Sequence, residues 1–232
     1  MARPVPIPAP GTAFAGRTFD AVLFDMDGTL IDSVPAVERS WRRLAAEHGL
    51  PDPDEYQIPH GTPARTVLAG LLPPERVDAA YERIHELELL DADGVTILPG
   101  TRDALAALPA GRLAIVTSCT TPLAAVRMAA SGLEAPAVVV TADDVERGKP
   151  DPDPFLLGAQ RLGVDPARCL VVEDAPAGIA SGRAAGCAVL AVTGTHSAAD
   201  LATTDPAPDA IAPGLGAVRF DVGPDGVRVT DA

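Results

Sequence analysis

The chain has 232 residues with 18 basic against 32 acidic side chains, a formal charge of −14, which argues against DNA, RNA or an anionic membrane surface as its principal partner. Apolar residues make up 47% and charged residues 22%, the profile of one globular domain carrying a modest insertion. No apolar run approaches the roughly 20 residues that span a bilayer, and the Pro-rich start lacks the continuous apolar stretch of a signal peptide. Cys119, Cys169 and Cys187 are scattered and form no pair motif, so neither a disulfide nor a zinc framework is expected, and a reducing cytoplasm is. Lys149 is the single lysine among the 18 basic residues, which makes its survival worth explaining.

In chain order, residues 1–17 are rich in Pro, Ala and Gly and read as an extended, poorly packed arm. DAVLFD (20–25) is a short apolar run that stops in the turn-prone Asp27-Gly28-Thr29, the pattern of a strand buried in the middle of a parallel sheet. Similar runs recur at LAIVT (113–117), AVVVT (137–141), CLVVE (169–173) and AVLAV (188–192), with helical patterns between them at 101–108, 122–130, 154–162 and 176–185. Proline in the first turn and Gly132, Gly163 and Gly186 at the ends punctuate these helices. The alternation predicts an α/β, doubly wound, Rossmann-like parallel sheet with helices on both faces. Residues 33–95 break it with three helical patterns, carrying Val37, Trp41 and Leu44, then Val67, Leu68 and Leu71, then Val77, Tyr81, Ile84 and Leu87. Ser33 reads as the N-cap of the first. The predicted organisation is therefore an arm at 1–17, a core at 18–32 and 96–232, and an inserted helical module at 33–95. The tail reads as a hairpin closed by Gly223-Pro-Asp-Gly226.

Ligands of doubly wound sheets bind at the carboxyl ends of the strands. Those ends carry Asp25 and Asp27, Thr117 and Ser118, Lys149 in a later loop, and Glu173 with Asp174. Singly, each has an ordinary explanation: an Asp pair or Thr-Ser as a turn or helix cap, a lone Lys as a solvated side chain. Their coincidence on one rim is not ordinary. Carboxylates crowded together repel by several kcal/mol unless a cation neutralises them, and oxygen-only ligands beside a phosphate site point to Mg²⁺.

These residues carry a resemblance. FDMDGTLIDS (24–33) resembles the nucleophile motif of haloacid dehalogenase superfamily phosphatases, AIVTS (114–118) their second motif, RGKPDP (147–152) their lysine motif, and VVEDAPAGI (171–179) their acidic metal motif. The insertion resembles the α-helical cap of the sugar- and polyol-phosphate phosphatase subgroup. The resemblance implies that Asp25 attacks phosphorus and that Asp27 protonates the leaving alkoxide and then activates water. It implies that Thr117, Ser118 and Lys149 bind phosphate. Mg²⁺ is expected on the Asp25 and Asp174 carboxylates and the Asp27 backbone carbonyl, with Glu173 beside it. His60 and Arg65, at a turn of the cap, are candidates to face a small phosphorylated metabolite. His48, His85 and His196 are expected on the surface, and Trp41 in the cap's own core. Two rivals are a phosphomutase of the same fold, resembling β-phosphoglucomutase, and a phosphate-binding protein without turnover. Mutases of this kind tend to carry a His in the first cap helix, where this chain has Val37, and often Val at the position of Thr29; a protein without turnover is expected to lose Asp25 or Asp27.

Overall fold

In the computed structural model, which describes residues 7–55 and 63–232, the chain opens with a short helix α1 (Pro10–Ala13) and enters the main sheet at β1 (Ala21–Phe24). Strand β2 (Ile31–Asp32) leads into helices α2 (Val34–Glu47), α3 (Ala64–Leu71) and α4 (Pro74–Leu90). Strand β3 (Thr96–Ile97) then returns antiparallel to β2. There follow α5 (Thr101–Ala107), β4 (Leu113–Val116), α6 (Thr121–Ser131), β5 (Val139–Val140), α7 (Asp153–Leu162), β6 (Cys169–Glu173), α8 (Pro176–Ala184) and β7 (Ala188–Val192). Helix α9 (Ala198–Leu201), β8 (Ala210–Ala212) and the hairpin β9 (Val218–Gly223) with β10 (Gly226–Asp231) complete the chain.

The main sheet has the order β5-β4-β1-β6-β7-β8, all neighbours parallel. Every residue of β1, β4, β6 and β7 is buried, because alternate side chains supply the two faces in turn. Val22, Phe24, Ile115, Leu170 and Val172 pack with α5, α6 and the hairpin, whose Phe220 ring meets Phe24 edge-on at 5.8 Å. Ala21, Leu23, Val116, Val171 and Val189 pack with Phe155 of α7 and Ile179 of α8 on the other face. The strand order reverses at β1, so the crevice above its carboxyl end is the topological switch point of the sheet.

One expectation about the fold needs correction at the start of the chain. The N-terminal segment is not a loose arm where it is described: Phe14 is 1% exposed, its ring meets Phe19 edge-on at 5.4 Å, and the Gly11 amide donates to Asp231 Oδ1 of β10. Burying one such ring contributes about 2–3 kcal/mol, enough to hold a four-residue helix that has little stability of its own. Strand β8 and the β2–β3 ribbon also went unread, being only two or three residues long. No helix among the described residues is long and apolar enough to cross a membrane.

Helices α2, α3 and α4 bury Trp41, Leu44, Val67, Leu68, Ile84 and Leu87 in a cluster of their own. Leu71, read as part of that face, is 37% exposed. Arg83 ties α4 to α2 through a two-pronged contact with Glu47, each hydrogen bond 2.8 Å. The β2–β3 ribbon carries the chain out to these helices and back, beside the carboxyl end of β1.

Candidate active site

Beyond Phe24 the backbone leaves the sheet and turns on itself. The Gly28 amide donates to Ile31 O, and the Leu30 and Ile31 amides donate to Met26 O. Gly28 has φ +83°, and a Cβ there would overlap Asp174 Oδ2. Met26 is fully buried in the core, which leaves Asp25 and Asp27 both lining one cavity of about 400 Å³ between the sheet end and the helices above it.

Lys149 sits at the centre of the cavity floor. Its Nζ donates to Asp25 Oδ1 (2.6 Å), Glu173 Oε1 (2.8 Å) and Val116 O (2.9 Å), which engages all three ammonium protons. Burial works against its charge, but Asp25 and Glu173 outweigh burial and raise its affinity for the proton. Glu173 Oε2 in turn accepts the Asp174 and Ala175 amides, both at 2.8 Å, at the start of α8. Gly178 lies one turn into that helix, where a Cβ would collide with the Glu173 carboxylate. Asp174 Oδ2 accepts the amide and hydroxyl of Thr195. Thr195 was missed by the sequence reading, although it too follows the carboxyl end of a strand, and the same rule would have found it.

The loop that delivers Lys149 is fixed from its base. Asp144 Oδ2 accepts the Thr141 amide (2.8 Å) and hydroxyl (2.9 Å), while Oδ1 pairs with Arg161. The Arg161 contact first, and then Thr141, lower the Asp144 carboxyl to about 2. A carboxyl lowered on folding contributes stability above its unfolded value, 3.8, and loses it as pH falls through about 2. Asp144→Asn is therefore expected to cost roughly 1 kcal/mol in urea unfolding at neutral pH, after discounting for partial exposure. The difference from the parent is expected to shrink as pH falls below about 4.

Asp25, Glu173 and Asp174 are all buried, with carboxylate oxygens within 4.8 Å of one another. Burial, reinforced by Glu173 and Asp174, holds the Asp25 carboxyl well above its ordinary range despite Lys149. Burial and Glu173 likewise push Asp174 up to about 7. One ammonium facing three carboxylates leaves negative charge in excess. Asp25 Oδ2 and Asp174 Oδ1 accept no hydrogen bond among the described residues. An all-oxygen set with surplus charge and open lone pairs fits a hard divalent cation.

Thr117 is buried and accepts the Cys119 amide through Oγ1 (3.1 Å), leaving its own proton to donate, and Ser118 is exposed on the cavity wall. Asp27 accepts from Ser33 Oγ (2.6 Å), Arg127 Nη1 (3.0 Å) and Cys119 Sγ (3.1 Å). Ser33 thus sits at the N-cap of α2 but makes no side-chain cap, having turned to Asp27 instead. Burial, with Asp27 nearby, pushes the Cys119 thiol up, so it is a donor to Asp27 and not a nucleophile.

Above the floor stand residues from the helices. Arg65 lines the cavity rim, but its guanidinium pairs with Asp78 and lies 4.1 Å above the Tyr81 ring. His60 lies outside the described residues. His85 is not a surface residue: it lines the cavity, Nε2 3.2 Å from Thr120 Oγ1. Trp41 belongs to the helical core and also borders the cavity.

The haloacid dehalogenase-like hydrolase family matches residues 19–186. The chain is 47% identical to hexitol phosphatase A of Escherichia coli over 175 residues, 73% of this chain and 81% of that protein. It is 34% identical to an E. coli fructose-1-phosphate phosphatase, over 72% of this chain and 93% of that one. Among solved structures it resembles a hydrolase from Deinococcus radiodurans, crystallised with phosphate and sodium, at 30% identity and TM-score 0.65, covering 85% of this chain and 92% of that one. Four motifs gathered on one sheet edge, and a match that runs through all of them, lead to one conclusion: the chain belongs to the haloacid dehalogenase-like hydrolase family.

Proposed function

We propose that the protein is a cytoplasmic, Mg²⁺-dependent phosphomonoesterase of small sugar or polyol phosphates, with 33–95 as a cap over a core formed by 18–32 and 96–232. The observation that carries this reading is the buried convergence of Asp25, Lys149, Glu173 and Asp174 at the floor of a cavity large enough for a sugar phosphate. The phosphatase relatives support the choice of substrate class. Asp25 forms a bond to phosphorus as the ester P–O bond breaks, and Asp27 passes a proton to the departing alkoxide. Asp27 then takes a proton from the water that hydrolyses the aspartyl-phosphate. Lys149 offsets the repulsion between Asp25 and the anionic ester, and Thr117 and Ser118 donate to phosphoryl oxygens. The Asp25 and Asp174 carboxylates and the Asp27 carbonyl, with Glu173 beside them, would hold Mg²⁺, which would supply positive charge where the phosphoryl group gathers negative charge. Val37, in the first cap helix where related mutases tend to carry a restraining His, borders the cavity, which favours hydrolysis over phosphoryl return.

A panel of phosphorylated metabolites, read as released phosphate with Mg²⁺ and with EDTA, tests the reading. Sugar and polyol phosphates are expected at the head of the ranking, and activity is expected only with Mg²⁺. Isomerisation of a sugar phosphate without phosphate release would contradict it. His60 and Arg65 are read as cap contacts to substrate. Their Ala variants are expected to lower kcat/KM for the preferred substrate roughly tenfold, with far less effect on p-nitrophenyl phosphate. Equal losses on every ester would show that this turn does not select.

A further inference from the structure

The wall of the cavity above Asp27 is apolar where Val37, Ile84 and Leu123 form it. Into this wall is set a buried charged group from two parts of the chain. Arg127, on α6 of the core, is 8% exposed at its side chain, and Glu88, on α4, is 16% exposed. The guanidinium of Arg127 spans from Asp27 Oδ1 at 3.0 Å to Glu88 Oε2 at 3.5 Å. One cation thus stands between two carboxyl groups, of which Glu88 belongs to the helices above the floor and lines the cavity itself. Trp41 donates to Glu88, and His85 lies on the same face of α4, one turn before it. Neither Glu88 nor Arg127 stands in any of the four motifs.

We propose that Glu88, held against Arg127, is a specificity-determining residue that admits neutral, hydroxyl-rich alcohols and rejects alcohols bearing a carboxylate. The inference rests on the reading of Asp27 as the group that meets the leaving oxygen. Glu88 stands one guanidinium away from Asp27, beside the first carbons of whatever alcohol that oxygen belongs to. Hydroxyl groups there find an acceptor in Glu88 and donors in Arg127. A substrate carboxylate finds a like charge in a buried setting, where repulsion is weakly screened. The apolar part of the wall suits the carbon chain, while Arg65 at the rim is paired with Asp78 and His85 with Thr120.

Glycerol 3-phosphate and 3-phosphoglycerate differ only in a terminal hydroxymethyl or carboxylate, and so isolate this effect. With the full-length protein and Mg²⁺, kcat/KM is expected to favour glycerol 3-phosphate by at least ~50-fold. Glu88→Gln and Glu88→Ala are each expected to narrow that ratio at least ~10-fold, chiefly through a lower KM for 3-phosphoglycerate. Glu88→Asp keeps the charge and is expected to keep the parent's ordering. Thermal melts identify any variant that fails to fold, and the two neutral variants serve as checks on each other. An unchanged ratio in a folded neutral variant overturns the proposal, as does a parent enzyme that prefers 3-phosphoglycerate. A parent that hydrolyses no phosphate ester overturns instead the functional reading on which the proposal stands.

Discussion

Asp25→Asn is expected to reduce turnover at least ~1000-fold, about 4 kcal/mol in barrier, while leaving the fold intact. The amide has the shape of the carboxylate but is a poor nucleophile, and it removes one charged ligand from the proposed metal site. Stability is expected to move the other way. Asp25 is buried among Glu173 and Asp174, and its surroundings disfavour its charge despite Lys149. A neutral isostere relieves that crowding, and Lys149 keeps Glu173 and the Val116 carbonyl as partners. The thermal midpoint of the metal-free variant should therefore equal or exceed that of the parent, as scanning calorimetry in EDTA would measure. Turnover within about tenfold of the parent, or a collapsed fold, would contradict the account of this residue.

Lys149→Arg is expected to lose at least ~100-fold in kcat/KM although the charge is retained. The ammonium is a point charge whose three protons reach three acceptors that converge on it, Asp25, Glu173 and the Val116 carbonyl. A planar guanidinium directs its donors outward in a fork and cannot serve three acceptors gathered around one point. It is also larger, in a site where Lys149 is 5% exposed at its side chain and Nζ lies 5.0 Å from the centre of the Phe155 ring. The added volume must displace Asp25 or Glu173, and overpacking of this kind costs about 1–3 kcal/mol of stability. Both effects are measurable, the first in steady-state kinetics and the second in urea unfolding. In a chain that otherwise uses arginine for every basic position, near-normal activity of this variant would leave the single lysine without a structural reason.

The parts of the fold legible in the sequence are those where burial leaves a local mark. Strands β1, β4, β6 and β7 are continuous apolar runs because both of their faces are covered. Gly132 and Gly163 end their helices with left-handed backbone. The floor of the site was legible for the same reason, since Asp25, Thr117, Glu173 and Asp174 each follow or finish such a run. The upper wall was not. Glu88 and Arg127 lie on helices where a charged residue ordinarily faces water, and only the approach of α4 to α6 turns them on each other. Cys119 and His85 likewise gain their partners from distant parts of the chain. Ser33 carried a true local signal for a cap, but the nearby Asp27 carboxylate took its hydroxyl. The N-terminal segment misled because its composition is that of a loose arm, whereas the buried Phe14 ring and the Gly11–Asp231 hydrogen bond anchor it.

The central claim, that Asp25 carries the phosphoryl group, is open to direct capture. Enzyme, Mg²⁺ and ³²P-labelled p-nitrophenyl phosphate are mixed, quenched in acid within milliseconds, and digested, and the labelled peptide is sequenced. The account predicts a burst of p-nitrophenolate matching the active sites, and a base-labile, hydroxylamine-sensitive label at Asp25 that is absent from Asp25→Asn. Label on another residue, or phosphate released in step with p-nitrophenolate with no labelled protein at any time, would contradict it.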